Sequence, residues 1–454
     1  MGSIAAITEN MVESAPQGGG TGRLRVLVLA PDCNPEMVSI PFVSYSHAAA
    51  LARIHDITLV VQERAEAPVR RARAPFHAIE VVRMRKLQRI FDWCFRTFLK
   101  GNYDTQALTA LSYPFGVAFE WFAWRQLRGR IFSGDFDVVL RVLPMTPTLP
   151  SPFSYLLRKG PIPFVLGPLN GGLRSAPGFS QADEQKWTFG IRNLYRRMPY
   201  ARSTYRYASA VILATSHMQT EFAEHRDKLF FIPENGIARS LCSSDSRNPE
   251  RSGKLELIFV GGFVRRKACY LGLRAAAKVL REGLAHFTLI GDGPERSALE
   301  DLVRSLGIEN SVTFSGWLKH PDVLRHLRSA DVVVLPAVRE GGGGVVFEAL
   351  ACGAVPVILD YGGPGDIVHP EVGYKISVSD EDAVISQMEQ VLCELARDRV
   401  LLTRLRQQGM TYARECLTWE AKAYSTSLVL DWAVQRGPKP DLPPSKMARV
   451  KCVD

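Results

Sequence analysis

Apolar residues in this chain gather in short runs separated by longer stretches in which they recur every third or fourth position. A short apolar run bounded by turn residues predicts a buried strand, and the longer spacing predicts a helix with one apolar side. In the first half such runs predict strands at 24–30, 57–61, 79–83, 136–141, 164–167, 210–214 and 229–232. A second series follows at 255–260, 287–290, 312–314, 332–336 and 355–359, with helical segments such as 271–283 and 294–306 between them. This alternation predicts parallel sheets flanked by helices, an α/β protein throughout. The stretch 238–253 separates the two series, holding Ser243, Ser244, Asp245, Ser246, Asn248, Pro249 and Gly253 with almost nothing apolar. The expectation is two consecutive doubly wound domains, 23–237 and 254–416, joined by a linker at 238–253 and facing a cleft at the carboxyl ends of their strands. Residues 1–22 end in a glycine run, and 436–454 carry Pro438, Pro440, Pro443 and Pro444 among charges, so both are expected to be disordered tails.

Composition narrows the class. With 454 residues, 46% apolar and 22% charged, the chain has the balance of a soluble globular protein and not of a disordered or fibrous one. No run reaches the roughly 18 apolar residues of a membrane span, and the first residues lack the order of a signal peptide, so a cytoplasmic location is expected. Eight cysteines are scattered without a CxxC pair or metal-ligand spacing, which fits a reducing compartment and predicts no metal. The net charge of +10 is uneven: between Arg64 and Arg130 stand thirteen Lys or Arg against Glu66, Glu80, Asp92, Asp104 and Glu120. Such a surface suits an anionic membrane, a lipid phosphate or a nucleic acid, or is simply a solvated face.

The strongest local signal runs from Leu335 through Pro336, Arg339, Glu340, Gly341, Gly342, Gly343, Gly344, Val345 and Glu348 to Gly353. It reads as a strand end, a glycine loop and a helix. Consecutive glycines leave backbone amides uncovered, and the helix start adds its own unpaired N–H groups and positive dipole end, a seat for a diphosphate. Glu340 lies just before the loop and Glu348 about one turn into the helix, so each can reach a different hydroxyl of one extended ligand. A second signal, Gly261, Gly262, Arg265, Arg266 and Lys267, closes the first strand of the second series. Cations there would neutralise the charge that builds on a departing diphosphate, as a metal does elsewhere.

Two weaker features belong to the first half. Residues 87–100 put Leu87, Ile90, Phe91, Cys94, Phe95 and Phe98 on one helical side, with Lys86, Arg89, Asp92, Arg96 and Lys100 largely opposite. That side is expected to face a core, the alternative being an interfacial helix, since Trp93, Phe115, Phe119, Trp121, Phe122 and Trp124 lie nearby with Arg125, Arg128 and Arg130. Asp135 and Asp137 spell the aspartate pair with which another transferase fold holds a metal, but here they precede an apolar strand and read most simply as a strand entry.

The second half resembles the retaining family 4 glycosyltransferases of the GT-B fold, also called glycosyl transferases group 1. Glu340 and Glu348 stand in the family's pattern of glutamate, seven residues, glutamate, with Pro336 at its Pro-Ser step. In family order follow the pieces Ile290 to Pro294, Phe314 to Trp317, Asp322 to Leu327 and Gly362 to Asp366, and Pro233 to Ile237 is similar to the family's Pro-Asn-Gly step. The resemblance implies that Glu340 contacts the donor sugar hydroxyls, Glu348 the ribose, and Lys267 the diphosphate. Gly262 replaces the family's strand-end arginine, and Arg265 or Arg266 is the expected source of the missing charge. The family's mid-domain histidine has no clear match; Asn170, Gly171 and Gly172 occupy about that place and are expected to line the acceptor side. The segment 417–435, with Trp419 and Glu420, resembles the terminal helix that in this fold returns to the first domain.

The function implied is transfer of a sugar from a nucleotide diphosphate sugar to a glycan, lipid-linked or small-molecule acceptor, with retention and without a metal or other cofactor. No nucleic-acid partner is expected, and peripheral contact with an anionic membrane at its inner face is kept open. The alternatives are a nucleotide-sugar epimerase of the same fold and a non-catalytic GT-B subunit. A nicotinamide-dependent dehydrogenase is disfavoured because no GxGxxG follows the first strand at Ala30 to Pro35.

Overall fold

The computed structural model describes residues 22–98, 105–179, 197–242, 253–435 and 437–442. The expected tails, apart from Gly22 and 437–442, and most of the expected linker 238–253 lie outside the described residues. The chain divides into two compact units. The first comprises the described parts of Met1–Gly171, Gln185–Glu234 and Trp419–Asp454, and the second those of Gly172–Glu184 and Asn235–Thr418.

The first unit is built on a seven-stranded sheet in the order β3-β2-β1-β4-β5-β6-β7. Its strands are β1 (Arg25–Leu29), β2 (Asp56–Gln62), β3 (Ala78–Val82), β4 (Val138–Arg141), β5 (Phe164–Leu169), β6 (Ala210–Leu213) and β7 (Leu229–Phe231). The second holds a six-stranded sheet, β10-β9-β8-β11-β12-β13. These strands are β8 (Leu255–Val260), β9 (Ala285–Ile290), β10 (Val312–Gly316), β11 (Val332–Leu335), β12 (Val355–Leu359) and β13 (Tyr374–Ile376). The ladders are parallel in both sheets. Central strands such as β4, β6, β11 and β12 are buried on both faces, which is why they read as continuous apolar runs and not as alternating ones. The strand β13 had no such signal, being a three-residue edge strand with Lys375 exposed.

The division differs from the expected 23–237 domain in two places. The stretch after Gly171 joins the second unit, where the Ala176 N–H donates to the Val338 carbonyl (2.8 Å) and the Tyr361 hydroxyl donates to the Arg174 carbonyl (3.1 Å). Asn235 to Ile237 also belong there, with the Ile237 N–H donating to the Leu417 carbonyl at 3.0 Å.

The helix Trp419–Gln435 belongs to the first unit, where it packs on the helix Ile40–Ile54. Among the residues it buries are Thr426 and Ser427, whose hydroxyls find partners: His47 Nε2 meets Thr426 Oγ1 at 2.9 Å and His55 Nε2 meets Ser427 Oγ at 2.8 Å. Satisfied hydroxyls allow a polar stripe to serve as a packing face.

A buried ion pair fixes the chain beyond β4. Arg141 Nε lies 2.8 Å from Glu120 Oε1, with only 2% and 3% of the two side chains exposed. Glu120 Oε2 also accepts from the Ser151 hydroxyl (2.5 Å) and the Phe153 N–H (3.2 Å), and Arg141 Nη2 donates to the Leu149 carbonyl (2.7 Å). Burial pushes the Glu120 carboxyl up while the Arg141 charge pulls it down. Glu120→Ala is expected to cost about 3–5 kcal/mol, because it strands a guanidinium without its counter-charge. Urea unfolding would measure this; a loss below about 1 kcal/mol would mean that the pair does not hold this loop.

Candidate functional site

Sheet order locates the site. In the second unit β8 and β11 are neighbours although the strands between them in sequence lie on the far side of β8. The chain therefore leaves their carboxyl ends in opposite directions, the place where open α/β sheets bind ligands. Both predicted signals sit there, Gly261 to Lys267 after β8 and Glu340 to Glu348 after β11.

The two exits are stitched together through the backbone. The N–H groups of Val338 and Arg339 donate to the Arg266 carbonyl at 3.0 and 3.2 Å, which sets the glycine loop beside the basic turn. Close approaches fix each loop from behind. Gly291 has φ +141°, and a Cβ there would come within 1.9 Å of the Gly261 carbonyl oxygen. A Cβ on Gly363 would fall 2.0 Å from the Gly341 oxygen, while the Gly363 N–H donates to the Glu340 carbonyl at 3.0 Å. Asn235 Nδ2 holds the Gly342 carbonyl at 2.9 Å.

This framework brings Lys267 and Glu340 into an ion pair, Nζ to Oε2, with 15% of each side chain exposed. Glu340 Oε1 accepts the Gly343 N–H at 3.0 Å. Burial alone would raise the Glu340 carboxyl, but the Lys267 ammonium, its hydrogen bond, the Gly343 N–H and the Arg266 charge outweigh it and hold the group below the usual carboxylate range. The expectation of four uncovered amides is corrected here: Gly343 caps the helix Gly344–Cys352 in the left-handed region (φ +59°), and Glu340 takes its N–H. The N–H groups of Gly341, Gly342, Gly344 and Val345 have no intramolecular partner shown among the described residues, and those of Gly344 and Val345 lie in the first helical turn, where unpaired N–H groups and the helix dipole suit an anion.

The two candidate arginines part company. Arg265 reaches toward Glu295 (3.9 Å), whereas the Arg266 charge is felt at Glu340. Of the two, Arg266 is the arginine whose charge reaches Glu340. A Cβ at Gly262 would make ordinary van der Waals contact, with the Asp292 carbonyl oxygen at 3.7 Å and the Trp317 ring at 4.0 Å. Glu348 stands apart from Glu340 in its contacts, with Oε1 2.7 Å from His320 Nε2. His320 had no signal in the sequence, because its partner lies 28 residues away and only folding joins them.

In the first unit, Asn170 Nδ2 donates to Glu234 Oε2 at 2.5 Å, and the buried Lys422 ammonium donates to the Glu234 carbonyl. Burial pushes the Lys422 amine down to about 7, with Glu234 pulling the other way. Gly171 offers its carbonyl to His217 Nε2 at 3.4 Å, while Gly172 falls in the second unit. Asp137 pairs with Arg25 (2.6 Å) and Asp135 with Arg130 (2.9 Å), which accounts for both as strand-entry residues. The helix Arg85–Phe98 buries the side expected to face a core only in part: Leu87 packs against the core of the first unit, Phe91 and Cys94 are half-buried, and Ile90 is exposed. It lies on the helix Thr105–Phe132, with Phe91 and Phe115 rings edge to face at 4.8 Å, and leaves Ile90 (51%) and Trp93 (59%) exposed. The side chains of Phe95 and Phe98, also assigned to that side, lie outside the described residues.

Residues 243–406 match the family model described as glycosyl transferases group 1. Over 139 residues the chain is 33% identical to an uncharacterized glycosyltransferase, MJ1607, of Methanocaldococcus jannaschii, covering 30% of this chain and 36% of that protein. It is 36% identical over 137 residues to the N-acetyl-alpha-D-glucosaminyl L-malate synthase of Bacillus anthracis, covering 30% and 35%. The matches thus span little more than a third of these relatives. Residues 243–406 are similar to the group 1 glycosyl transferases.

For the whole chain the fold is GT-B. The crystal structure of Anabaena Alr3699/HepE in complex with UDP superposes with a TM-score of 0.59 at 13% identity, over 90% of this chain and 99% of that one. The group 1 segment contains the paired Lys267 and Glu340, and with them the two glutamates and both basic candidates.

Lys267→Met is expected to cost about 2–4 kcal/mol at neutral pH, since Glu340 would keep its burial without its counter-charge. The deficit should shrink on acidification. In the wild-type protein the carboxyl is depressed, so its contribution is present above the unfolded value and is lost only as pH falls through the lower folded value. In the variant burial raises the carboxyl, which then takes up a proton earlier. Urea unfolding across acid and neutral pH measures both slopes; parallel curves would refute the pairing as the source of the shift.

Proposed function

We propose that this protein transfers a glycosyl group from a nucleotide diphosphate sugar to a glycan, lipid-linked or small-molecule acceptor, with retention at the anomeric carbon and without a metal, in the cytoplasm. The observation that carries the reading is the Lys267–Glu340 pair at the β8/β11 switch point, beside an open helix start. It is supported by the group 1 match and by a GT-B neighbour solved with UDP.

Each group has a role its chemistry allows. An ammonium has three donors, and Lys267 uses one on Glu340, so the others can meet a diphosphate from a fixed position. Arg266 and the N–H groups of Gly344 and Val345 add to the same charge. As the bond from the anomeric carbon to the phosphate oxygen breaks, the diphosphate leaves with the electron pair and these groups absorb its charge. The acceptor oxygen bonds to the same face of the carbon, and its proton passes to the departing phosphate oxygen. Glu340, with lone pairs left over from Lys267 and Gly343, orients the sugar, and Glu348 takes the ribose. These cations do the work assigned to a metal in other sites, so turnover should survive a chelator.

Thermal stabilisation by a set of nucleotide sugars identifies the donor, a ligand at a hundred times its Kd adding about 2.7 kcal/mol. With that donor, Glu340→Ala is expected to lower kcat about a hundredfold, and Glu348→Ala to raise the donor Kd about tenfold with a smaller effect on kcat. Small and equal effects would refute these roles. Donor turned over without acceptor into an isomer would indicate an epimerase, and stabilisation without any turnover a non-catalytic subunit.

The acceptor is proposed to be presented at an anionic membrane surface. Ile90, Trp93, Trp121 and Phe122 are exposed on two packed helices whose flanks carry Arg89, Arg125 and Arg128, a mixture of apolar and basic groups suited to a lipid interface. The protein should sediment with phosphatidylglycerol vesicles at low salt and be released by salt. Equal behaviour with phosphatidylcholine vesicles would remove this part of the reading.

A further inference from the structure

We propose that His320 is a positioning residue for the donor nucleotide: it clamps Glu348 toward the ribose, and its protonation sets how tightly a nucleotide sugar binds. This rests on the donor-site reading above. His320 is the first residue of the helix His320–Ser329, where Pro321 in the first turn fixes the helix start. That helix packs on Gly344–Cys352, which carries Glu348. A carboxylate can only accept, so the 2.7 Å contact means that His320 Nε2 carries the proton and donates to Oε1. Oε2 is left for a ligand. The pair is reachable, with 62% of the His320 side chain and 25% of that of Glu348 exposed.

The clamp strengthens when the imidazole is charged. A cation at the start of a helix is disfavoured by the helix dipole, so another force must hold one there. The hydrogen bond to Glu348 raises the His320 imidazole above its ordinary value, and the Glu348 charge adds to it against the opposing effect of burial. Other charged groups lie on His320's own helix and on the elements packed against it. Glu348 is the one charged residue of its helix. On β8, which also packs against the His320 helix, Glu256 lies near the start of the strand, where its N–H donates to Asp331 beyond the far end of that helix. On the helix itself Asp322 pairs with Arg325 at 2.5 Å, and His326 and Arg328 lie in the last turn. Lys319 precedes His320 as the N-cap residue.

The sign follows. Because the folded value is raised, the imidazolium–carboxylate clamp is complete below the ordinary histidine value and is lost as pH rises through the folded value. Affinity for the donor should therefore be higher on the acid side.

Calorimetry of the full chain with UDP-glucose, GDP-mannose and ADP-glucose tests this, since the diphosphates of these sugars carry no proton that titrates near neutral pH. Between about pH 5.5 and 9 the affinity for the tightest of the three should fall about tenfold. In His320→Gln, whose amide can hold the carboxylate but cannot titrate, affinity should be independent of pH and near the alkaline wild-type value. His320→Ala should bind more weakly than His320→Gln. A wild-type affinity that does not change with pH, or a pH step that survives in His320→Gln, overturns the role of His320 and leaves the donor site standing. Absence of binding by the wild-type protein at every pH overturns the donor-site reading and this proposal with it.

Discussion

The ion pair between Lys267 and Glu340 is the contact on which the site depends. It joins the exits of β8 and β11, adjacent in the sheet and far apart in sequence, at the point where the chain leaves in two directions. Mostly withdrawn from water, each charge needs the other, and removing either would leave an uncompensated ion. The pair therefore sets the position of two loops as well as two side chains. Its residual donors and lone pairs are what the site has to offer a ligand.

The glycines around the pair have two uses that the chain does not keep separate. Gly291 and Gly363 exist to let one backbone touch another, with carbonyl oxygens where side chains would otherwise stand. Gly343 supplies a left-handed helix cap and gives its N–H to Glu340. The N–H groups of Gly341, Gly342 and the first turn of the helix have no partner shown among the described residues. A glycine run thus marks both close packing and an exposed backbone, and only the partners of each N–H separate the two.

The first unit is held by different physics. Its returning helix buries polar residues among apolar ones, and histidines satisfy the hydroxyls of Thr426 and Ser427. Its buried Glu120–Arg141 pair governs the loop after β4, and Asn170, Glu234 and Lys422 form a bonded chain of polar groups. Few of these positions carry an apolar rhythm, which is why this half gave fewer firm expectations about its chemistry than the second.

The sequence by itself determined the sheets and where the chemistry would gather. Strands buried on both faces must be continuous apolar runs and the half-buried edge strands β3 and β10 kept short ones, so all but the three-residue edge strand β13 were legible, and the residues after β8 and β11 stood out because glycines and cations are poor core material. The tertiary structure alone decided who meets whom. It gave Glu340 to Lys267 and Glu348 to His320, turned Arg265 toward Glu295, placed Arg266 within electrostatic reach of Glu340, and moved the stretch after Gly171 into the second unit. The reason is that local spacing fixes hydrophobic periodicity, whereas a hydrogen bond or ion pair between residues 28 or 73 positions apart depends on how strands are ordered in a sheet, and no local pattern encodes that order.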